Sequence, residues 1–241
     1  MRRFFATEGA IDGGRITLRD REAHHLAVVL RLKPPEQVIV VDGSGREHVV
    51  RLTTVDPREV QGEIVETRPG VGSPIDLILV QGVAKGAKMD DVVRMGTELG
   101  VRAFIPVLTK RAVAEGRGRA ARWRRIAVEA AKQSRRADVP DVEDPLPFPA
   151  ALDLLSDAGL VLLLWEGERA RTLAQALQEA AAPRRVALLV GPEGGFDEAE
   201  VAEAVARGAV PVSLGPLILR TETAGMAAVA MVLYELTLRR V

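Results

Sequence analysis

Val186-Ala187-Leu188-Leu189-Val190-Gly191-Pro192-Glu193-Gly194-Gly195 sets the architecture of this chain. Five apolar residues in a row, without polar alternation, describe a strand buried on both faces. The glycines and Pro192 then stop it with turn chemistry. Asp197, with Glu200 three residues on, has the spacing of a capped helix start and predicts a helix over 197–207. A two-sided strand, a glycine-rich loop and a helix make one unit of a parallel sheet.

The unit recurs on either side. Strands are expected at 75–80, 101–108 and 161–165, and helices at 90–99 (closed by Gly100), 123–134 and 172–181. Beyond residue 207 a strand at 210–214 precedes a final helix over 223–238. The expected fold class is therefore α/β, with a parallel sheet covered by helices on both faces. Residues 111–119 are expected to form a mobile loop, and the acidic, proline-rich 138–149 a plain connector.

The first seventy or so residues follow another pattern. A helix over 22–32 ends at Pro34-Pro35, and β-branched runs at 38–41, 49–55 and 60–66 are separated by Asp42-Gly43-Ser44-Gly45 and Asp56-Pro57. Short strands joined by such turns predict an antiparallel barrel or meander. Residues 68–74 are rich in Pro and Gly and read as a linker, which divides the chain into domains 1–70 and 74–241.

Composition narrows the function classes. At 47% apolar residues, the 241-residue chain can bury a sizeable core. No apolar run approaches the roughly 18 residues of a membrane span, and no signal peptide is expected, so a cytoplasmic location is. With no cysteine and only His24, His25 and His48, neither disulfides nor a metal site is expected. Net charge is zero, yet eleven basic residues between Arg102 and Arg136 face only Glu115 and Glu129, a local excess of +9. Such a stretch suits a phosphate-binding surface; the alternative is a solvated helix face offset by acidic neighbours.

Open parallel sheets bind ligands at the carboxyl ends of their strands. Three such ends carry glycine or polar residues: Trp165-Glu166-Gly167, Gly191 to Gly195, and the run from Leu214-Gly215 through Ile218-Leu219-Arg220-Thr221-Glu222-Thr223-Ala224. No Gly-x-x-x-x-Gly-Lys-Ser/Thr and no Gly-x-Gly-x-x-Gly follows a strand, so a phosphate cradle is not expected. Glycine-rich backbone suits an adenine edge, with Leu214, Ile218 and Leu219 on its faces. Gly-Pro-Glu-Gly-Gly alone suits a tight turn before a helix just as well.

Taken together, Gly191-Pro192-Glu193-Gly194-Gly195 and Leu214-Gly215-x-x-Ile218-Leu219-Arg220-x-Glu222-Thr223-Ala224 resemble the SPOUT methyltransferases of the RsmE type. Lys85-Gly86-x-Lys88-Met89, Glu98-Leu99-Gly100-Val101 and Glu129-Ala130-x-x-Gln133-Ser134-x-Arg136 add to the resemblance, which spans essentially the whole chain. It implies a PUA-like RNA-binding β-barrel domain in front of an α/β domain with a deep trefoil knot, and a homodimer. It also implies S-adenosyl-L-methionine as cofactor and N3 of a uridine in small-subunit (16S) ribosomal RNA, naked or in the assembled subunit, as substrate. The implied cofactor contacts are Leu163, Trp165, Glu166, Gly191, Glu193, Gly194, Leu214, Ile218, Leu219, Arg220 and Thr223.

Neutral uracil carries a proton on N3, so something must remove it or stabilise the charge left on O2 and O4. Arg220 is the candidate for charge stabilisation, and Glu222 for fixing Arg220 or taking part in proton transfer. Arg2, Arg3, Arg31, Lys85, Lys88, Arg122, Arg124, Arg125 and Arg136 are expected at RNA. Lys85 and Lys88 suit a solvated loop nearly as well, and Arg136, on one helix face with Glu129 and Gln133, suits a polar structural network. The alternatives are a methyltransferase acting on another nucleotide, a nucleotide-dependent transferase, and a non-catalytic RNA-binding protein.

Overall fold

A computed structural model describes residues 1–6, 9–73, 75–112, 118–181 and 183–238. The chain forms two compact units: Met1–Gly72 with Ala131–Val139, and Ser73–Ala130 with Pro140–Val241.

The first unit contains β1 (Arg3–Phe5), β2 (Ile11–Asp12), β3 (Arg15–Arg19), α1 (Asp20–His24, continued by a π-helical turn His25–Val29), β4 (Gln37–Val41), β5 (Arg46–Val55) and β6 (Glu59–Pro69). Its sheet runs β1-β4-β5-β6-β3-β2. The pairing is mixed, because β1 lies parallel to β4, whereas only antiparallel strands were expected. Alternation along β4 explains its two apolar faces. Val38 and Val40 join Phe4, Leu26, Val50 and Leu52 in one core. Ile39 and Val41 turn the other way and are covered by Ala131, Ala137 and Val139, which is why 131–139 belongs to this unit.

The expected linker starts later than its composition indicates. β6 continues to Pro69, opposite Arg46. β3 leaves β6 at the Arg15–Glu63 pair, so beyond that point β6 has a free edge that tolerates a residue without an N–H.

The second unit contains β7 (Asp76–Gly82), α2 (Lys88–Leu99), β8 (Ala103–Leu108), α3 (Ala120–Ser134), β9 (Asp141–Val142), β10 (Leu146–Pro147), α4 (Phe148–Asp153), β11 (Leu160–Leu164), α5 (Leu173–Glu179), β12 (Arg185–Val190), α6 (Glu198–Ala206), β13 (Val210–Val212) and α7 (Thr221–Leu233, continued by a π-helical turn Tyr234–Leu238). The sheet order is β10-β8-β7-β12-β11-β13, all parallel, with β9 also on β8. The expected capping box is present: Asp197 Oδ1 accepts from Ala199 N at 3.1 Å, and Glu200 Oε2 from Asp197 N at 2.9 Å. Thr172 and Gln175 cap α5 in the same way.

Residues 138–149 are more than a connector. They supply β9, β10 and the start of α4, anchored by Phe148, whose ring centre lies 5.1 Å from that of Phe196. Pro149 sits in the first turn of α4, where no N–H donor is required. Of the loop expected at 111–119, residues 113–117 lie outside the described residues. Among the described residues no helix is long and apolar enough to cross a membrane.

The strand order locates a switch point. From β7 the chain moves to β8 on one side, whereas from β12 it moves to β13 on the other. The carboxyl ends of β7 and β12 therefore flank the crevice where ligands of open α/β sheets bind.

Candidate active site

Three segments meet at that crevice. β7 ends in Gln81 and Gly82, β12 runs into Gly191, and α7 begins at Thr221. A Cβ on Gly82 would collide with the Pro192 backbone, so only glycine lets the two strand ends approach this closely. Thr221 Oγ1 donates to the Gly191 carbonyl at 2.5 Å and accepts from Gln81 Nε2 at 2.8 Å.

A charged group spans the same gap. Lys88 Nζ lies 3.0 Å from Glu193 Oε1 and 3.6 Å from Glu222 Oε2. The Glu193 hydrogen bond leads in pushing the Lys88 amine above its usual range. Partial burial pulls the Glu193 carboxyl upward, but hydrogen bonds from its own N–H, from the Lys88 amine and from the Lys85 N–H outweigh this and hold it below the usual range. Glu222 Oε2 is buried and makes no hydrogen bond among the described residues. On the other flank of the glycine loop, Arg111 donates to the Gly194 carbonyl at 3.2 Å, and Lys110 pairs with Asp197 at 3.2 Å.

The expected cofactor contacts spread around these strand ends. Leu163 is fully buried within β11, its side chain in the core with Phe196. Trp165 is half-buried just past β11, and Glu166 is exposed with Oε1 against Gly195. Gly191 is half-buried, and Glu193 and Gly194 lie on the exposed loop. Leu214 and Leu219 are half-buried, whereas Ile218 is 93% exposed, with Leu217 beside it at 76%. Arg220 is the N-cap residue of α7, and Thr223 stands exposed in its first turn. These residues suit a nucleoside: exposed loop backbone at Glu193 and Gly194, large uncovered apolar side chains at Leu217 and Ile218, and carboxylates at Glu166 and Glu193.

Folding changes the meaning of the basic stretch. Arg102 pairs with Asp141, Arg122 with Asp90, Arg124 with Asp144, Lys132 with Glu22 and Arg136 with Asp138. The excess of charge along the sequence is thus offset by acids brought in from elsewhere. Arg122, Arg124 and Arg125 are exposed and open to solvent, and surface pairs are weak enough for a phosphate to displace them. Arg136 is different. It is 4% exposed and donates to both Asp138 oxygens, at 3.1 and 2.7 Å. A buried, closed guanidinium has no open face for RNA, so Arg136 is a structural residue of the first unit. Arg3 donates to buried Glu47 at 2.5 Å, while Arg2, Arg31 and Lys85 are exposed. Lys88, expected at RNA, has its amine between two carboxylates.

Sequence reasoning missed Gln81, Thr221 and Arg111. Gln81 left one signal, a lone amide ending the apolar run Leu77-Ile78-Leu79-Val80. A cavity of about 340 Å³ opens elsewhere, near the amino ends of β11 and β13, lined by Leu152, Leu155, Val161 and Ala209. Its one cation, Arg207, is occupied by Asp153 and Glu203, so we place the site at the carboxyl ends. Among the described residues no cluster of His, Asp and Glu could hold a metal ion.

Comparison with known proteins gives this arrangement a class. Residues 71–233 match the family model described as the RNA methyltransferase domain, and residues 18–65 the RNA methyltransferase PUA domain. Ribosomal RNA small subunit methyltransferase E of Bacillus subtilis (strain 168) is 33% identical over 234 residues, spanning 93% of this chain and 91% of the relative. The protein of the same name from Aquifex aeolicus (strain VF5) is 32% identical, spanning 92% and 95%. Among solved structures, ribosomal RNA small subunit methyltransferase E from Neisseria gonorrhoeae, bound to S-adenosyl methionine, superposes with a TM-score of 0.82 at 34% identity, covering 96% of each chain. The second unit is an RNA methyltransferase domain. Within that class, the chain belongs to the ribosomal RNA small subunit methyltransferase E family.

Proposed function

We propose that this protein uses S-adenosylmethionine to methylate N3 of a uridine in small-subunit ribosomal RNA. The observation that carries the reading is the junction at the switch point, where the glycine loop, Lys88 and the first turn of α7 meet. Family relatives matched over nine-tenths of the chain support it.

S-adenosylmethionine, when bound, supplies an electrophilic methyl group. Gly191, Glu193 and Gly194 offer it backbone and a carboxylate, with Trp165, Glu166, Leu214, Ile218, Leu219 and Thr223 completing the pocket, while Leu163, buried in the core of β11, is a structural residue rather than a contact. Arg220 presents a planar, cationic fork to the uracil carbonyl oxygens as charge grows there. Glu222 takes the N3 proton at its carboxylate, which Lys88 holds at 3.6 Å.

The reading includes a trefoil knot in the last loops. Its support is the return of the chain from β13, at the sheet edge, to Thr221, which is hydrogen-bonded at the centre. It also includes a cytoplasmic homodimer. Met231 and Tyr234 stand 47% and 58% exposed on the mostly apolar α7 and its π-helical continuation, a face that a second copy would cover. Domain 1–70 and Arg122, Arg124 and Arg125 hold the RNA, and domain 74–241 carries the chemistry.

Calorimetry with S-adenosylhomocysteine, followed by methyl transfer to small-subunit ribosomal RNA, tests the proposal. Micromolar binding with turnover is expected. Absence of both is the result for a non-catalytic RNA-binding protein.

A further inference from the structure

Gln81 is fully buried in β7. Strand alternation sends Ile78 and Val80 into the core shared with α4 and α6, and turns Gln81 toward α7. Its Nε2 reaches Thr221 Oγ1 at 2.8 Å, the Gly82 carbonyl at 3.2 Å and, at the limit of a hydrogen bond, the Gly191 carbonyl at 3.5 Å. The Thr221 hydroxyl spends its proton on the Gly191 carbonyl. It can only accept from Gln81, which fixes the amide with Nε2 toward Thr221. Gln81 Oε1 is then left buried without a hydrogen bond among the described residues. It points at Gly225, where a Cβ would stand 3.2 Å away. Retaining an unmatched buried acceptor calls for a role that compensates for it.

We propose that Gln81 is a positioning residue for methyl transfer. Through Thr221 and Gly191 it sets the spacing between the glycine loop and the Arg220–Glu222 pair. The inference rests on the function proposed above, which puts the methyl donor at the loop and the uracil at Arg220 and Glu222. Thr221 lies between those two residues in sequence, so displacing it moves both. Lys88 ties Glu193 to Glu222 across the same gap, but that tie is partly exposed and screened by salt, whereas the Gln81 tie is dry. A misplacement of about 1 Å between reacting partners costs on the order of 10²-fold in rate.

The test compares the full-length parent with Gln81→Met, Thr221→Val, Thr221→Ser and the double variant Gln81→Met/Thr221→Val. Melting, S-adenosylhomocysteine affinity, RNA affinity and single-turnover rate at saturating S-adenosylmethionine and small-subunit ribosomal RNA are measured on each. Gln81→Met and Thr221→Val should bind both ligands within a few-fold of the parent and lose about 10²-fold in rate. Thr221→Ser, which keeps the hydroxyl, should restore it. The double variant should be no slower than either single one, because both break one tie. A parental rate for folded Gln81→Met, or losses that multiply in the double variant, overturns the proposal. Should Gln81→Met fail to fold, equal rates for Thr221→Val and Thr221→Ser overturn it instead. A parent that neither binds S-adenosylhomocysteine nor turns over contradicts the proposed function itself, and the positioning role falls with it.

Discussion

The Glu222 carboxylate faces Lys88, with 3.6 Å between Oε2 and Nζ, and makes no ion pair with Arg220 among the described residues. Glu222 is therefore held without help from Arg220. Arg220 occupies the N-cap position of α7, yet its side chain makes no capping hydrogen bond.

Arg220→Ala should accordingly leave melting, S-adenosylhomocysteine affinity and RNA affinity close to parental while single-turnover rate collapses. The fork of Arg220 matters most as charge develops on the uracil, so its loss appears in turnover rather than in binding. Joint loss of cofactor affinity and melting temperature would instead make Arg220 a loop-closing residue.

Gly194→Val should fold and lose S-adenosylhomocysteine affinity by at least an order of magnitude. A Cβ there already stands 3.1 Å from Arg111 Cβ, and a branched side chain projects further over the loop backbone that the cofactor needs. Unchanged affinity in a folded variant moves the cofactor elsewhere.

Two sets of arginines should separate cleanly. Replacing Arg122, Arg124 and Arg125 together should weaken RNA binding and flatten its salt dependence, each lost phosphate contact removing about 0.7–0.9 from the log–log slope. Cofactor affinity should not change. Arg136→Ala should instead strand Asp138 in the interior and cost about 3–5 kcal/mol of stability, read from denaturant unfolding. An Arg136→Ala protein of parental stability with weakened RNA binding would return Arg136 to the RNA surface.

Asp197 supplies a pH signature. The Ala199 N–H, followed by Lys110, holds its carboxyl below the ordinary 3.8. A carboxylate with a lowered folded value stabilises above its ordinary value and loses that contribution as pH falls through the folded one. The melting-temperature advantage of the parent over Asp197→Asn should be constant near neutrality and fade as pH drops below 3.8. An advantage that persists in strong acid would show that charge plays no part in this cap.

Much of the fold is legible in sequence because its determinants are local. Val186 to Val190 is an unbroken apolar run, and Asp197 with Glu200 is a capping pair three residues apart. β1 is illegible because Arg3-Phe4-Phe5 is too short to show a period, and its partner β4 lies thirty-six residues away. β9 and β10 are two-residue pairings in a proline-rich segment, held by β8 rather than by their own propensity. The site divides in the same way. Its glycines announce themselves, whereas Gln81 acquires meaning only from Gly191 and Thr221, 110 and 140 positions on. The acids that pair with the basic stretch are illegible for the same reason, because only folding brings them beside it.

Methyl transfer to N3 of a uridine is tested on the RNA itself. The most direct measurement incubates the protein with small-subunit ribosomal RNA lacking the modification and S-adenosylmethionine carrying an isotopically labelled methyl group, then digests the RNA and reads its nucleosides by mass spectrometry. Labelled N3-methyluridine is expected, at no more than one per RNA molecule. Label on another atom or another base, or no label at all from a folded protein, would contradict the proposed function.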